Sequence, residues 1–284
     1  MATPTDAHPV PPPPSSPAGP PERATTASAP LFSASARHRV EVFSVVCGPI
    51  FTVCATVGWV ILAQGLLPFD PSLSADALAA AYAEHHSGIV LGCTIMLIGC
   101  GFLTFWIAQL GVMLWTLEGR RPVLAITQML GGLGVVAFVS SACCLWIGAA
   151  YRPDAAPGVV VALNDAGWFT FVLTWPGLSV QLVAAGLVVR AARDRPDRLA
   201  PGWVGTYCFV SAAVIALVAL PAFTKTGPFA WNGVLGYYVP LIMWGISFEI
   251  LSWSMLQTLR RRAAGGAEPA AAASVAAVAA GSAS

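Results

Sequence analysis

One acidic side chain stands where acids are rare. Glu249 is embedded in a long apolar run, 11 positions before Arg260. In a helix that separation is about 16 Å from the basic cluster Arg260-Arg261-Arg262, farther than a glutamate can reach. Near the centre of a bilayer an ionised acid costs about 2.5–3.5 kcal/mol on insertion scales, so the group requires a proton, a partner or a watery cavity. Two readings follow: a proton- or cation-linked site, or a carboxyl hydrogen-bonded to Ser252 or to a neighbouring helix. No intramembrane Arg or Lys is available to pair it.

Gln181 is the second polar candidate, a few positions after Pro176 and near the middle of its apolar run. Prolines interrupt four such runs, at Pro49, Pro176, Pro221 and Pro240. Each lacks an N–H and frees a carbonyl one turn earlier. Pro49 and Pro176 both adjoin a glycine, Gly48 and Gly177, and each lies about nine residues into its run from opposite ends. An inverted three-plus-three repeat would give that pattern, with a midplane binding site at the breaks. Independent kinks explain it equally well, since proline is common in spans.

His85, His86, Asn164, Asp165, Lys225 and Asn232 all fall between apolar runs on one side and could meet as an outer mouth. Adjacent histidines diverge on a helix, whereas metal pairs favour an i, i+4 spacing, so solvated loop residues are the simpler explanation. Cys47 with Cys54, and Cys93 with Cys100, are seven apart and share a helical face. Buried cysteines pack as small apolar groups, and no Met or His stripe completes a soft-metal site. The residues point to no metal and no cofactor. No phosphate-cradling Gly-rich loop, no H-E-x-x-H and no intramembrane His occurs, so an enzyme has little to stand on and no catalytic residue is named.

These residues need elements that can hold them. Apolar types make up 57% of the 284 positions and charged types 10%, against about 25% charged in soluble domains. A span needs about 20 mainly apolar residues. Six runs qualify, near 41–65, 88–116, 123–149, 167–191, 204–224 and 229–258, which predicts an all-α, polytopic six-span bundle over 39–262. Residues 1–38 hold 10 of the 23 prolines and read as a disordered tail. Residues 263–284, rich in Ala, Gly and Ser, read as a second one. Twelve arginines flank one set of span ends, and only Arg152 and Lys225 the other. The positive-inside rule places the arginine-rich end, and both termini, in the cytoplasm. A single Lys beside 13 Arg and the abundance of Ala and Gly suggest a bacterial inner-membrane protein.

Ser74 can cap a short outer helix carrying Leu78 and Tyr82, and Pro157 can open another carrying Val159 and Leu163. Both are expected along the outer surface. Trp168, Phe229, Trp231, Tyr237 and Tyr238 are expected there as interfacial anchors. Gly88 with Gly92, and Ser140 with Cys144 and Gly148, form small-residue ridges for close helix packing.

The stretches Ala162-Leu163-Asn164-Asp165-Ala166-Gly167-Trp168 and Lys225-Thr226-Gly227-Pro228-Phe229-Ala230-Trp231-Asn232-Gly233 resemble signatures of a group of bacterial six-span membrane proteins, over about residues 41–260. That group carries no assigned activity, so the resemblance implies the architecture and no site residue.

Two functions remain. One is binding or permeation of a small solute or lipophile by Glu249 and Gln181, with the outer cluster as a gate. The other is a non-catalytic membrane subunit or assembly factor. The bilayer is the expected partner, with a homo-oligomer or another membrane protein compatible; a net charge of +1 offers nothing to nucleic acid.

Overall fold

The computed structural model describes residues 32–63, 68–152 and 154–281, with side chains to Ala264. Most of the Pro-rich tail lies outside the described residues. The described residues from Ala34 onward form helices and no strands. In order these are α1 (Ala34–Ala55), continued as a π-helix over Thr56–Leu62; α2 (Ala75–Glu118); α3 (Val123–Ala150); α4 (Pro157–Val172); α5 (Trp175–Ala191); α6 (Gly202–Ile215), continued as a 3-10 helix over Ala216–Ala222; a π-helical turn Val234–Tyr238; and α7 (Val239–Gly281). Among the described residues, six helical stretches are long and apolar enough to cross a membrane, α4 with α5 forming the fourth.

Neighbouring spans pack in a ring. α2 lies between α1 and α3, α3 packs on α4 and α5, α5 on α6, α6 on α7, and α7 returns to α1. Lipid is as apolar as leucine, so this association rests on close packing and hydrogen bonds rather than on a hydrophobic drive. Glycines provide the closeness. A Cβ at Gly92 would collide with the carbonyl oxygen of Gly58, and one at Gly131 with that of Gly177.

The two surface helices expected from Ser74 and Pro157 exist only as the first turns of longer ones. Ser74 does accept from Ala77 N at 3.3 Å, but the helix it caps runs unbroken to Glu118, because no Pro occurs between Ala75 and Glu118. At 44 residues α2 is about 66 Å long, so its Ser74 end projects beyond the hydrocarbon. Pro157 likewise opens α4. At the other terminus, the Ala-rich stretch after Arg262 continues α7 as backbone helix, in keeping with alanine's high helix propensity.

Loops at the arginine-rich end are knitted by side chains. The Glu118 carboxylate accepts from Leu124 N and Ala125 N, both at 2.9 Å, and so caps α3. Arg195 Nη1 donates to Leu117 O at 3.0 Å, and Thr258 Oγ1 to Leu199 O at 3.1 Å. The Asp197 carboxylate pairs with the Arg195 guanidinium at 2.8 Å and raises its pKa by hydrogen bonding and charge.

Candidate functional site

Four departures from α-helical geometry converge on one region. In α1, Thr52 Oγ1 donates to Gly48 O at 3.4 Å and Thr56 Oγ1 to Thr52 O at 2.8 Å, back-bonds that loosen the backbone ladder. The π-helix follows and closes with Ala63 N donating to Gly58 O at 3.0 Å. In the fourth span Pro176 cannot donate to the Val172 carbonyl, and the chain breaks at Leu173–Thr174, between α4 and α5. Pro221 lies in the 3-10 stretch. Pro240 follows the π-turn that opens α7, where Leu235 N and Gly236 N both donate to Pro228 O, at 2.8 and 3.0 Å. Irregular turns of this kind often mark functional regions.

Residues from these segments line two adjacent apolar spaces. The larger, about 140 Å³, runs between α1 and α7. Its walls are Phe51 and Trp59 on one side and Tyr237, Trp244 and Phe248 on the other, with Met96 of α2 behind. Thr56 and Val60, exposed on the π-helix that continues α1, border it, so it opens at the bundle's lipid-facing surface. The smaller, about 40 Å³, lies among Phe171, Thr174, Leu178, Ile215, Val218 and Pro240. Tyr237, Leu241 and Trp244 line both and form the partition.

The partition is braced by an aromatic cluster. Trp59 meets Phe171 edge-on at 4.3 Å between ring centroids, and Trp146 at 5.6 Å. Trp168 lies 5.1 Å from Trp146 and 5.7 Å from Tyr237, and stacks on Trp231 at 6.0 Å with planes 15° apart. Such contacts contribute about 0.5–1.5 kcal/mol each beyond area burial. Trp168, Trp231 and Tyr237 are therefore not the interfacial anchors expected above: they are 0%, 5% and 6% exposed, inside the bundle. Trp146 and Trp168 bury their indole N–H groups without a partner, the former pressed against Gly167.

Within the larger groove most polar atoms are committed. The hydroxyls of Thr52 and Thr56 are used by backbone carbonyls. The Tyr237 hydroxyl and the Trp244 indole N–H, on two residues that line the groove, make no hydrogen bond within the described structure.

The polar residues singled out from the sequence are dispersed. Glu249 is exposed on α7, in a separate groove with Trp203 and Trp253. Ser252 is taken, accepting from Trp106 Nε1 at 2.8 Å. Gln181 is buried against α3, its Cβ beside Gly131. The groove beside Glu249 is not lined by Gln181. Gln128 of α3 escaped notice in the sequence although it too is an intramembrane polar residue; it is fully buried, and both its amide atoms lack partners.

Of the outer cluster, only Asn164 and Asp165 are joined, Asn164 Nδ2 donating to Asp165 Oδ1 at 3.0 Å. Their further partner is Tyr82, whose hydroxyl donates to Asn164 Oδ1 at 2.9 Å. His86 pairs locally with Ser87 at 3.0 Å. His85 is half-buried, Lys225 exposed and Asn232 half-buried, and no hydrogen bond or ion pair in the described structure links them to Asn164 or Asp165.

The glycine-proline pairs also serve unlike purposes. Pro49 sits inside α1, which stays α-helical for six more residues, whereas Pro176 follows a break. Gly48 leaves room for the Trp106 indole, and Gly177 lies at the close crossing of α5 with α3 at Gly131. The matched interruptions of an inverted repeat are therefore not seen at these positions, because each glycine answers to a different neighbour. Cys93 and Cys143 line one small void with Met96, and no group of three or more His, Cys, Asp or Glu side chains among the described residues is arranged to hold a metal.

Architecture and site together define a six-span, all-helical integral membrane protein with a lipid-facing aromatic groove. Compared with protein-family models, curated proteins and solved structures, the chain matches none.

Proposed function

We propose that this protein binds a lipophile drawn laterally from the bilayer into the groove between α1 and α7. The observation that carries this reading is the composition of the groove: aromatic and aliphatic walls, an opening beside Thr56 and Val60, and two lining residues, Tyr237 and Trp244, whose polar groups make no hydrogen bond in the described structure. Ligand sites are typically apolar with a few convergent polar groups. The ligand is accordingly an apolar molecule carrying a hydrogen-bond acceptor, such as a carbonyl on a flat ring with an alkyl tail. Dispersal of Glu249 and Gln181 favours lipophile binding over passage of a polar solute.

We place the arginine-rich end in the cytoplasm of a bacterium, and hence the protein in the inner membrane, on the twelve-to-two distribution of basic residues. Membership of the bacterial six-span group resembled above belongs to the same proposal.

The test is native mass spectrometry of the full chain released from nanodiscs that contain an alkylated benzoquinone or an alkane of equal chain length. Saturable retention of one quinone per chain, weakened about thirtyfold in Tyr237→Phe/Trp244→Phe, is the expected result; each donor is worth about 1 kcal/mol, and the pair about 2 kcal/mol, which is that factor. Equal retention of the alkane, or of the quinone by the variant, would sink the reading. So would recovery of a second polypeptide at fixed ratio seated over the groove, which would make the chain a subunit of a larger complex.

A further inference from the structure

A second groove, of about 720 Å³, lies at the arginine-rich end between α7, the start of α6 and the loop over 198–201. We propose that it binds the headgroup and upper chain of an anionic phospholipid, with the phosphate held by Arg198 and Arg261.

Charge selects the occupant. The ion pairs of this loop, Arg193–Asp194 at 3.1 Å and Arg195–Asp197 at 2.8 Å, consume its carboxylates. Arg198 and Arg261 have no carboxylate within 4.0 Å in the described structure, yet both line the groove. Arg261 is already oriented: Nη2 donates to Arg198 O and to Thr258 Oγ1, both at 2.9 Å, and Nε to Gln257 O at 3.4 Å. Its Nη1 stays uncommitted. Arg198 makes one long contact, Nη1 to Arg193 O at 3.5 Å. A guanidinium fixed in this way binds a phosphate with little further loss of side-chain freedom. Basic pockets between spans on the cytoplasmic side are where anionic headgroups bind.

The remaining lining follows the anatomy of a phospholipid. Along α7 the groove is bordered by Arg261, Gln257, Trp253 and Glu249 at steps of four residues, so the last three lie about 6, 12 and 18 Å below Arg261. Gln257, whose side chain makes no hydrogen bond in the described structure, stands at the depth of the glycerol esters and offers them an amide N–H. Trp253, 61% exposed, and Trp203, 59% exposed, flank the first acyl methylenes. Glu249 sits at the deep end, about 18 Å from the phosphate and so too far to contest it.

The experiment is native mass spectrometry of the full chain titrated in detergent with phosphatidylglycerol, phosphatidylcholine or inorganic phosphate. The expected result is one tightly held phosphatidylglycerol, preferred at least tenfold over phosphatidylcholine and not displaced by millimolar phosphate. That preference falls at least tenfold in Arg198→Gln/Arg261→Gln and is kept in Arg120→Gln/Arg121→Gln, which removes the same charge from another loop at this end. Arg261 also braces the loop, so Arg198→Gln alone is the folding-safe variant and should lose several-fold. Equal binding of the two lipids, an unchanged preference in Arg198→Gln/Arg261→Gln, displacement by phosphate, or a lipid-free dimer that covers the groove would each overturn the proposal.

Discussion

Tyr82 and Asn164, 82 residues apart, share a buried 2.9 Å hydrogen bond that ties the projecting start of α2 to α4. Asn164 is 2% exposed and Tyr82 1%, and the same asparagine donates to Asp165. The bond fixes the end of the bundle opposite the arginines, above the aromatic cluster. Tyr82→Phe leaves Asn164 Oδ1 buried with one partner fewer, at a cost of about 1–3 kcal/mol. Thermal unfolding in detergent should show the loss, and Tyr82→Phe added to Asn164→Leu should cost less than the sum of the two single changes. Strict additivity would mean that the bond contributes nothing.

Gly92 and Gly58 let α2 touch the π-helix of α1, with a Cβ at Gly92 meeting the Gly58 carbonyl and the Ala63 side chain. Gly92→Ala therefore overpacks the crossing and should lower stability by about 1–3 kcal/mol. Gly101 lies on the same helix with nothing within 4 Å of a Cβ. Gly101→Ala should leave stability unchanged or slightly raised, and equal losses for the two would remove the close-contact account.

Arg195 holds the Asp197 carboxyl below the usual range by hydrogen bonding and charge. Its folded value being depressed, the unfolded chain takes up the proton first as pH falls. The pair's stabilisation is thus complete above about pH 4 and is lost as pH drops through the lowered folded value. Carboxyl carbon NMR should show Asp197 titrating below the ordinary aspartate range, and the depression should vanish in Arg195→Gln. A shift that survived that substitution would point to another cause.

Cysteines introduced at Arg121 and Pro196 should resist a membrane-impermeant maleimide in intact cells, and those at Asp154 and Lys225 should react. The reverse pattern would invert the orientation proposed here. All four sites lie in loops or turns at helix ends, where labelling leaves packing alone.

What the sequence alone determined is what composition and one-dimensional period can encode. Six runs of apolar side chains must become helices in lipid, because no other open structure satisfies its backbone there, but where a helix outruns its apolar run, as α2 does by starting at Ala75 and α4 by starting at Pro157, apolar period alone does not mark the end. Proline positions foretold the break before Pro176 and the disturbed start of α7, since a missing N–H acts locally. Tertiary structure decided everything that depends on which faces meet. Trp168 and Trp231 carry no mark that distinguishes a belt residue from a core one, and only the approach of α4 to the turn before α7 stacks them, bringing the two signature stretches together. Gly48, Gly92 and Gly177 look alike in sequence, yet each is small for a different neighbour. Glu249 and Gln181 share a depth in their helices, but helical rotation turns one outward and the other toward α3. The groove between α1 and α7 was invisible for the same reason: its walls come from residues nearly 200 positions apart, and their contact is set by packing between helices, which no local pattern records.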